Sequence, residues 1–137
     1  MGYRSDVTVI MYADTPEEQL MVNEWVKVQL AKRTDVEEPG LRHRFYFMPN
    51  MVKFEVEGWK WYDSYEEIQW LENLFREYVE AFCSTLDNPT VKTLNDERTY
   101  AIEYVRVGES YDDVVFWEKG CSEGKVYVQR TIMIDTD

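Results

Sequence analysis

The chain has 137 residues with 27 acidic and 15 basic side chains, a formal net charge of −12. Its 34 Val, Leu, Phe and Ile residues are about a quarter of the chain, above the roughly 20% below which highly charged chains stay disordered, so one folded domain over residues 1–137 is expected. No apolar run approaches the ~18 residues of a membrane span, and residues 1–8 carry Arg4 and Asp6 where a signal peptide is apolar. Cys83 and Cys121 are too few for a disulfide framework or an all-cysteine zinc site. These features argue against a membrane protein, a secreted mini-protein, collagen or a coiled coil, and for a reducing interior.

Asp6 to Tyr12 is β-branched and apolar on both parities and predicts a central strand. Thr15-Pro16-Glu17-Glu18 then marks a helix start, with Thr15 as cap, Pro16 in the first turn and Glu18 reaching back as in a capping box. The helix is expected to run to about Lys32, with Met21, Val22, Trp25, Val26 and Val28 as its inward stripe. Two strands follow, His43 to Met48 and Val52 to Tyr62, joined at Pro49-Asn50. In the second, Val52, Phe54 and Val56 alternate with charged residues, but Trp59 and Trp61 fall on the charged parity. A bulge at Gly58 would add one residue and return both indoles to the core face.

Ser64-Tyr65-Glu66-Glu67 resembles a second capping box, and Ile68, Leu71, Phe75, Tyr78 and Phe82 then recur at helical spacing up to Asp87-Asn88-Pro89. Strand candidates Thr99–Val107, Asp113–Trp117 and Lys125–Ile134 complete the chain, separated by Gly108, Gly120 and Gly124. The predicted fold is α+β in the order βαββαβββ. It is a ferredoxin-like antiparallel sheet with two helices on one face and a C-terminal meander extension.

The charge is uneven, with a net of −2 over residues 1–60 and −10 over residues 61–137. Such a field repels nucleic acid and attracts a basic partner. Glu66, Glu67, Glu72, Glu77 and Glu80 form the densest acidic surface, either a solvated helix face or a mimic of a nucleic-acid backbone. The basic cluster Lys32, Arg33, Arg42, His43 and Arg44 is too short and diluted for a nucleic-acid groove.

No nucleophile motif, P-loop, dinucleotide fingerprint or zinc motif is present, and no catalytic residue, metal or cofactor is expected. Glu109, Asp112 and Asp113 lack the spacing and Gly of a calcium loop. Arg130 shares parity with Val126, Val128, Ile132 and Ile134, which places a guanidinium on an apolar strand face. It needs a carboxylate partner, with Asp63, Glu103 and Asp112 as candidates. Alternatively, Arg106 and Arg130 line an anion-facing pocket with tryptophans. Trp59, Trp61, Tyr62 and Tyr65 crowd one strand-to-helix junction, where aromatics pack, stack on a base or anchor an interface.

Four segments are familiar as a set: Met1-Gly2-Tyr3-Arg4-Ser5-Asp6-Val7, Trp59-Lys60-Trp61-Tyr62-Asp63-Ser64-Tyr65, Tyr104-Val105-Arg106-Val107-Gly108-Glu109 with Asp112-Asp113, and Arg130-Thr131-Ile132. The set resembles a group of small proteins of tailed bacteriophages and prophages, which carries no established activity. The resemblance implies an accessory protein in the host bacterial cytoplasm, with Trp61, Asp63, Arg106, Glu109 and Arg130 in a shared framework or site. The leading expectation is a non-enzymatic protein that binds and inhibits a host defence or nucleic-acid-handling protein. The partner could carry a basic, nucleic-acid-binding surface; direct contact with nucleic acid or membrane is not expected, and a homodimer is conceivable. The alternatives are an acidic nucleic-acid mimic and a small-molecule or nucleotide binder built on the Arg/Trp cluster. The candidate contact residues are Trp59, Trp61, Asp63, Tyr65, Arg106, Glu109, Asp112 and Arg130.

Overall fold

A computed structural model describes residues 3–32, 43–83, 100–110 and 112–120. Along the chain come β1 (Ser5–Tyr12), α1 (Pro16–Ala31), β2 (Phe45–Met48), β3 (Met51–Trp59), α2 (Glu66–Tyr78), a π turn (Val79–Cys83), β4 (Ala101–Gly108) and β5 (Val114–Gly120). The five strands form one antiparallel sheet in the order β2-β3-β1-β4-β5, so the architecture is α+β. The expected strand Lys125–Ile134 lies outside the described residues.

β1 is central, as its two-sided apolar pattern requires. Val7, Val9 and Met11 point to one face, where they meet Val52, Phe54 and Val56 of β3 and Ile102 and Tyr104 of β4. Side chains of both helices join this buried cluster, Val22, Val26 and Leu30 from α1 and Ile68, Leu71, Leu74, Phe75 and Tyr78 from α2. On the opposite face Ile10 and Tyr12 pack with Ala101. Glu103 is fully buried on that same face and accepts a 2.5 Å hydrogen bond from the Tyr12 hydroxyl. A buried carboxylate requires such donors.

The bulge stands at Gly58. Ser5 pairs with Trp59 but Val7 with Val56, so β3 spends one more residue than β1 over that interval. Gly58 takes φ +67°, a conformation glycine adopts without the Cβ penalty of other residues. Beyond the bulge Trp59 packs half-buried against the core and Trp61 is buried within it.

Two expectations need correction. The Thr15 cap itself forms, its hydroxyl oxygen accepting from Glu18 N at 3.1 Å while the hydroxyl donates back to the Glu18 carboxylate at 3.0 Å. The buried stripe of α1 is Gln19, Val22, Val26 and Leu30, whereas Met21 and Val28 lie outward at 57% and 49% exposure. Gln19 can be buried because its amide is satisfied, accepting from Ala13 N at 2.8 Å and donating to Asn23 at 2.9 Å. Finally, α2 starts at Glu66, with Tyr65 in the cap position and no side-chain cap. A turn closed by Tyr65 N on Tyr62 O displaces Ser64 from that role and packs the Tyr65 ring on Tyr62.

Candidate functional site

Where the junction after β3 meets β4 and β5, the surface opens into a cleft of about 600 Å³ lined by Trp61, Tyr62, Asp63, Glu72, Tyr104, Arg106, Val115 and Trp117. The junction beyond the bulge delivers Trp61, Tyr62 and Asp63 to it, α2 supplies Glu72, and the β4–β5 ladder supplies Tyr104, Arg106, Val115 and Trp117. Tyr104 pairs with Trp117 across that ladder, and the rings stack at 4.9 Å and 11°. Arg106 pairs with Val115 two residues further on and therefore shares their face.

Glu72 organises the polar floor. Its Oε2 accepts from Trp61 Nε1 at 3.0 Å and from the Tyr104 hydroxyl at 2.9 Å. Burial, reinforced by the charge of Glu72, pushes the Tyr104 phenol well above its ordinary range, which keeps it a donor. Arg106 is held loosely, at 3.7 Å from Asp113 Oδ2 and 3.5 Å from Ser5 Oγ. The cleft thus joins flat aromatic walls to carboxylate acceptors and a guanidinium.

Of the expected site residues, Trp61, Asp63 and Arg106 come together here, and Glu72 turns into the cleft and away from the acidic surface. Glu66, Glu77 and Glu80 are exposed along α2 and its π turn, and Glu67 is half-buried. Trp59 stands apart, edge-on to Phe54 at 6.5 Å with the Arg44 guanidinium over its ring. Tyr65 packs against the core. Glu109 and Asp113 serve a different purpose: Glu109 Oε2 accepts from Arg4 N at 2.8 Å and Asp113 Oδ2 accepts from the Tyr3 hydroxyl at 2.6 Å. Tyr3 N donates to the Tyr62 hydroxyl, Arg4 Nη1 to Gly58 O, and Gly58 N to Asp6 Oδ1. Three of the four familiar sequence segments are therefore knotted by one hydrogen-bond cluster, a framework role. Asp112 is exposed outside the cleft, and Arg130 lies outside the described residues. Among the described residues, no three His, Cys, Asp or Glu side chains are grouped to hold a metal ion.

Composition and motif reading missed Tyr104 and Trp117, although counting outward from the turn near Ser110 would have paired them. A second feature was also missed. On the side of α1 turned away from its buried stripe, Leu20 (59% exposed), Met21 and Val28 join Trp25 and Phe82 in an apolar groove of about 530 Å³, rimmed by Glu17 and Glu24. No helix among the described residues is long and apolar enough to cross a membrane. No protein-family model matches this chain, and no curated protein or solved structure matches it.

Proposed function

We propose that the protein is a phage-encoded accessory protein that acts in the host cytoplasm by binding, and thereby inhibiting, a host protein, with no catalysis of its own. The observation that carries this reading is the apolar outer face of α1. A helix that buries one stripe ordinarily shows water a polar opposite side. Here Leu20, Met21 and Val28 occupy that side, flanked by Trp25 and Phe82, the residue types that anchor interfaces. The rim is acidic, so the occupant proposed is a basic amphipathic helix of the host protein, its apolar face in the groove and its Lys or Arg side chains near Glu17 and Glu24. We further read β1-α1-β2-β3-α2-β4 as a ferredoxin-like core, with β5 opening its C-terminal extension.

Nucleic-acid mimicry is less well supported. Glu66, Glu77 and Glu80 share one side of the helix, but only three carboxylates over roughly 21 Å compare poorly with one phosphate per ~1.7 Å of duplex.

The test uses a fluorescent Leu/Lys amphipathic helix of about 18 residues as probe. Binding that persists at about 0.5 M salt and weakens at least ~10-fold in the Leu20→Lys/Met21→Lys double variant is expected, since each lost apolar anchor is worth about 1.5–3 kcal/mol. Equal binding by the double variant, or binding abolished by salt alone, sinks the proposal. So does a dimer in analytical ultracentrifugation that the same substitutions dissociate, because the occupant is then a second copy.

A further inference from the structure

We propose that the cleft between α2 and the β4–β5 ladder is a binding site for guanine, presented as the nucleoside or its monophosphate. This inference is independent of the α1 groove. Its basis is the half of the Glu72 carboxylate that the described residues leave open to the cleft. Oε2 already receives Trp61 Nε1 and the Tyr104 hydroxyl, while Oε1 has no hydrogen-bond partner among the described residues and the side chain lines the cleft. A carboxylate only accepts, so the group that completes it must bring donors. Guanine offers two adjacent donors, N1–H and the N2 amino group, along its Watson–Crick edge. Adenine and cytosine set a donor beside a lone pair, and uracil flanks its N3–H with two carbonyl oxygens, so each would point an acceptor at a carboxylate.

The remaining lining fits the rest of such a ligand. Tyr62 and Trp117 provide flat faces for a purine, the sequence-tolerant part of base recognition. Among the described residues Arg106 meets Asp113 and Ser5 at 3.7 and 3.5 Å, which leaves it donors there for a phosphate. The volume of about 600 Å³ lies within the ordinary range of small-ligand sites. Charge then sets a limit. Asp63 lines the same cleft and the chain is −12 overall, so each added phosphate meets repulsion, and a polynucleotide is disfavoured.

The experiment titrates the full chain with guanosine, GMP, GTP, AMP, CMP, UMP and a guanine-containing tetranucleotide, read by tryptophan fluorescence and calorimetry. GMP is expected to bind at one site, at least ~10-fold tighter than AMP, CMP or UMP and tighter than GTP. Glu72→Gln, which retains one acceptor oxygen, is expected to erase the preference for guanine, and Arg106→Met to lower GMP to the affinity of guanosine. The wild-type panel alone is decisive should either variant fold poorly. Absence of saturable GMP binding, equal affinity for the four bases, or a Glu72→Gln protein that keeps the preference overturns the proposal. A tetranucleotide tighter than GMP overturns the mononucleotide assignment.

Discussion

Replacing Gly58 by alanine isolates the device that aims Trp61 into the cleft. Gly58 sits at φ +67°, and a Cβ built there meets no atom within 4 Å, so the substitution adds strain without collision. An L-residue in this region costs about 1–2 kcal/mol, partly offset by the 0.4–1 kcal/mol that alanine contributes by restricting the unfolded chain. The net expectation is a loss of about 1 kcal/mol, or roughly 4 °C in melting temperature for a domain of this size. Urea unfolding followed by tryptophan emission measures it, and the same spectrum reports whether Trp59 and Trp61 keep their environments. Gly58→Asn should lose less, because asparagine tolerates the left-handed region better. An alanine variant as stable as the parent would refute the argument, since it would mean that the bulge does not require glycine there.

Two further outcomes follow from the same geometry. Gly108→Ala should cost about 1–3 kcal/mol in denaturant unfolding, because its Cβ would collide with the Asp113 carboxylate and the Tyr3 ring that bond to one another; an unchanged midpoint would show that this cluster yields freely. Burial raises the phenols of Tyr78 and Tyr104 above their ordinary value of 10.0, so the folded state holds their protons longer than the unfolded chain. Stability from this source is complete below about pH 10 and falls as pH rises through the folded-state values, less steeply in Tyr104→Phe. Absorbance at 295 nm that titrates all ten tyrosines together near pH 10 in the folded protein would contradict this.

How far the sequence disclosed the molecule depends on whether the signal was local. The Thr15 cap, the α2 stripe and the Gly58 bulge each follow from a few neighbouring residues, and each is present. The inward face of α1 was misread because that helix is apolar on two sides, so periodicity could not choose between them. Trp61 and Arg106 were recognisable as candidates by type. Glu72 reads from the sequence only as part of the acidic surface, because its place in the cleft depends on Tyr104, 32 residues away, and on Trp61 across a turn. Glu109 and Asp112 read as contact residues because they are charged and close together, yet turn geometry alone attracts carboxylates.

The hydrogen bonds that tie Tyr3 and Arg4 to Glu109 and Asp113 join positions 105 and 110 residues apart. Closing loops of that length costs entropy that no local contact repays in advance. Strand β4 pairs with β1 over nearly the same span, and the knot lies at the exposed end of that ladder. Its amides are therefore expected to open first under native-state hydrogen exchange, so the rim that carries Tyr62 loosens while the centre of the sheet is still intact.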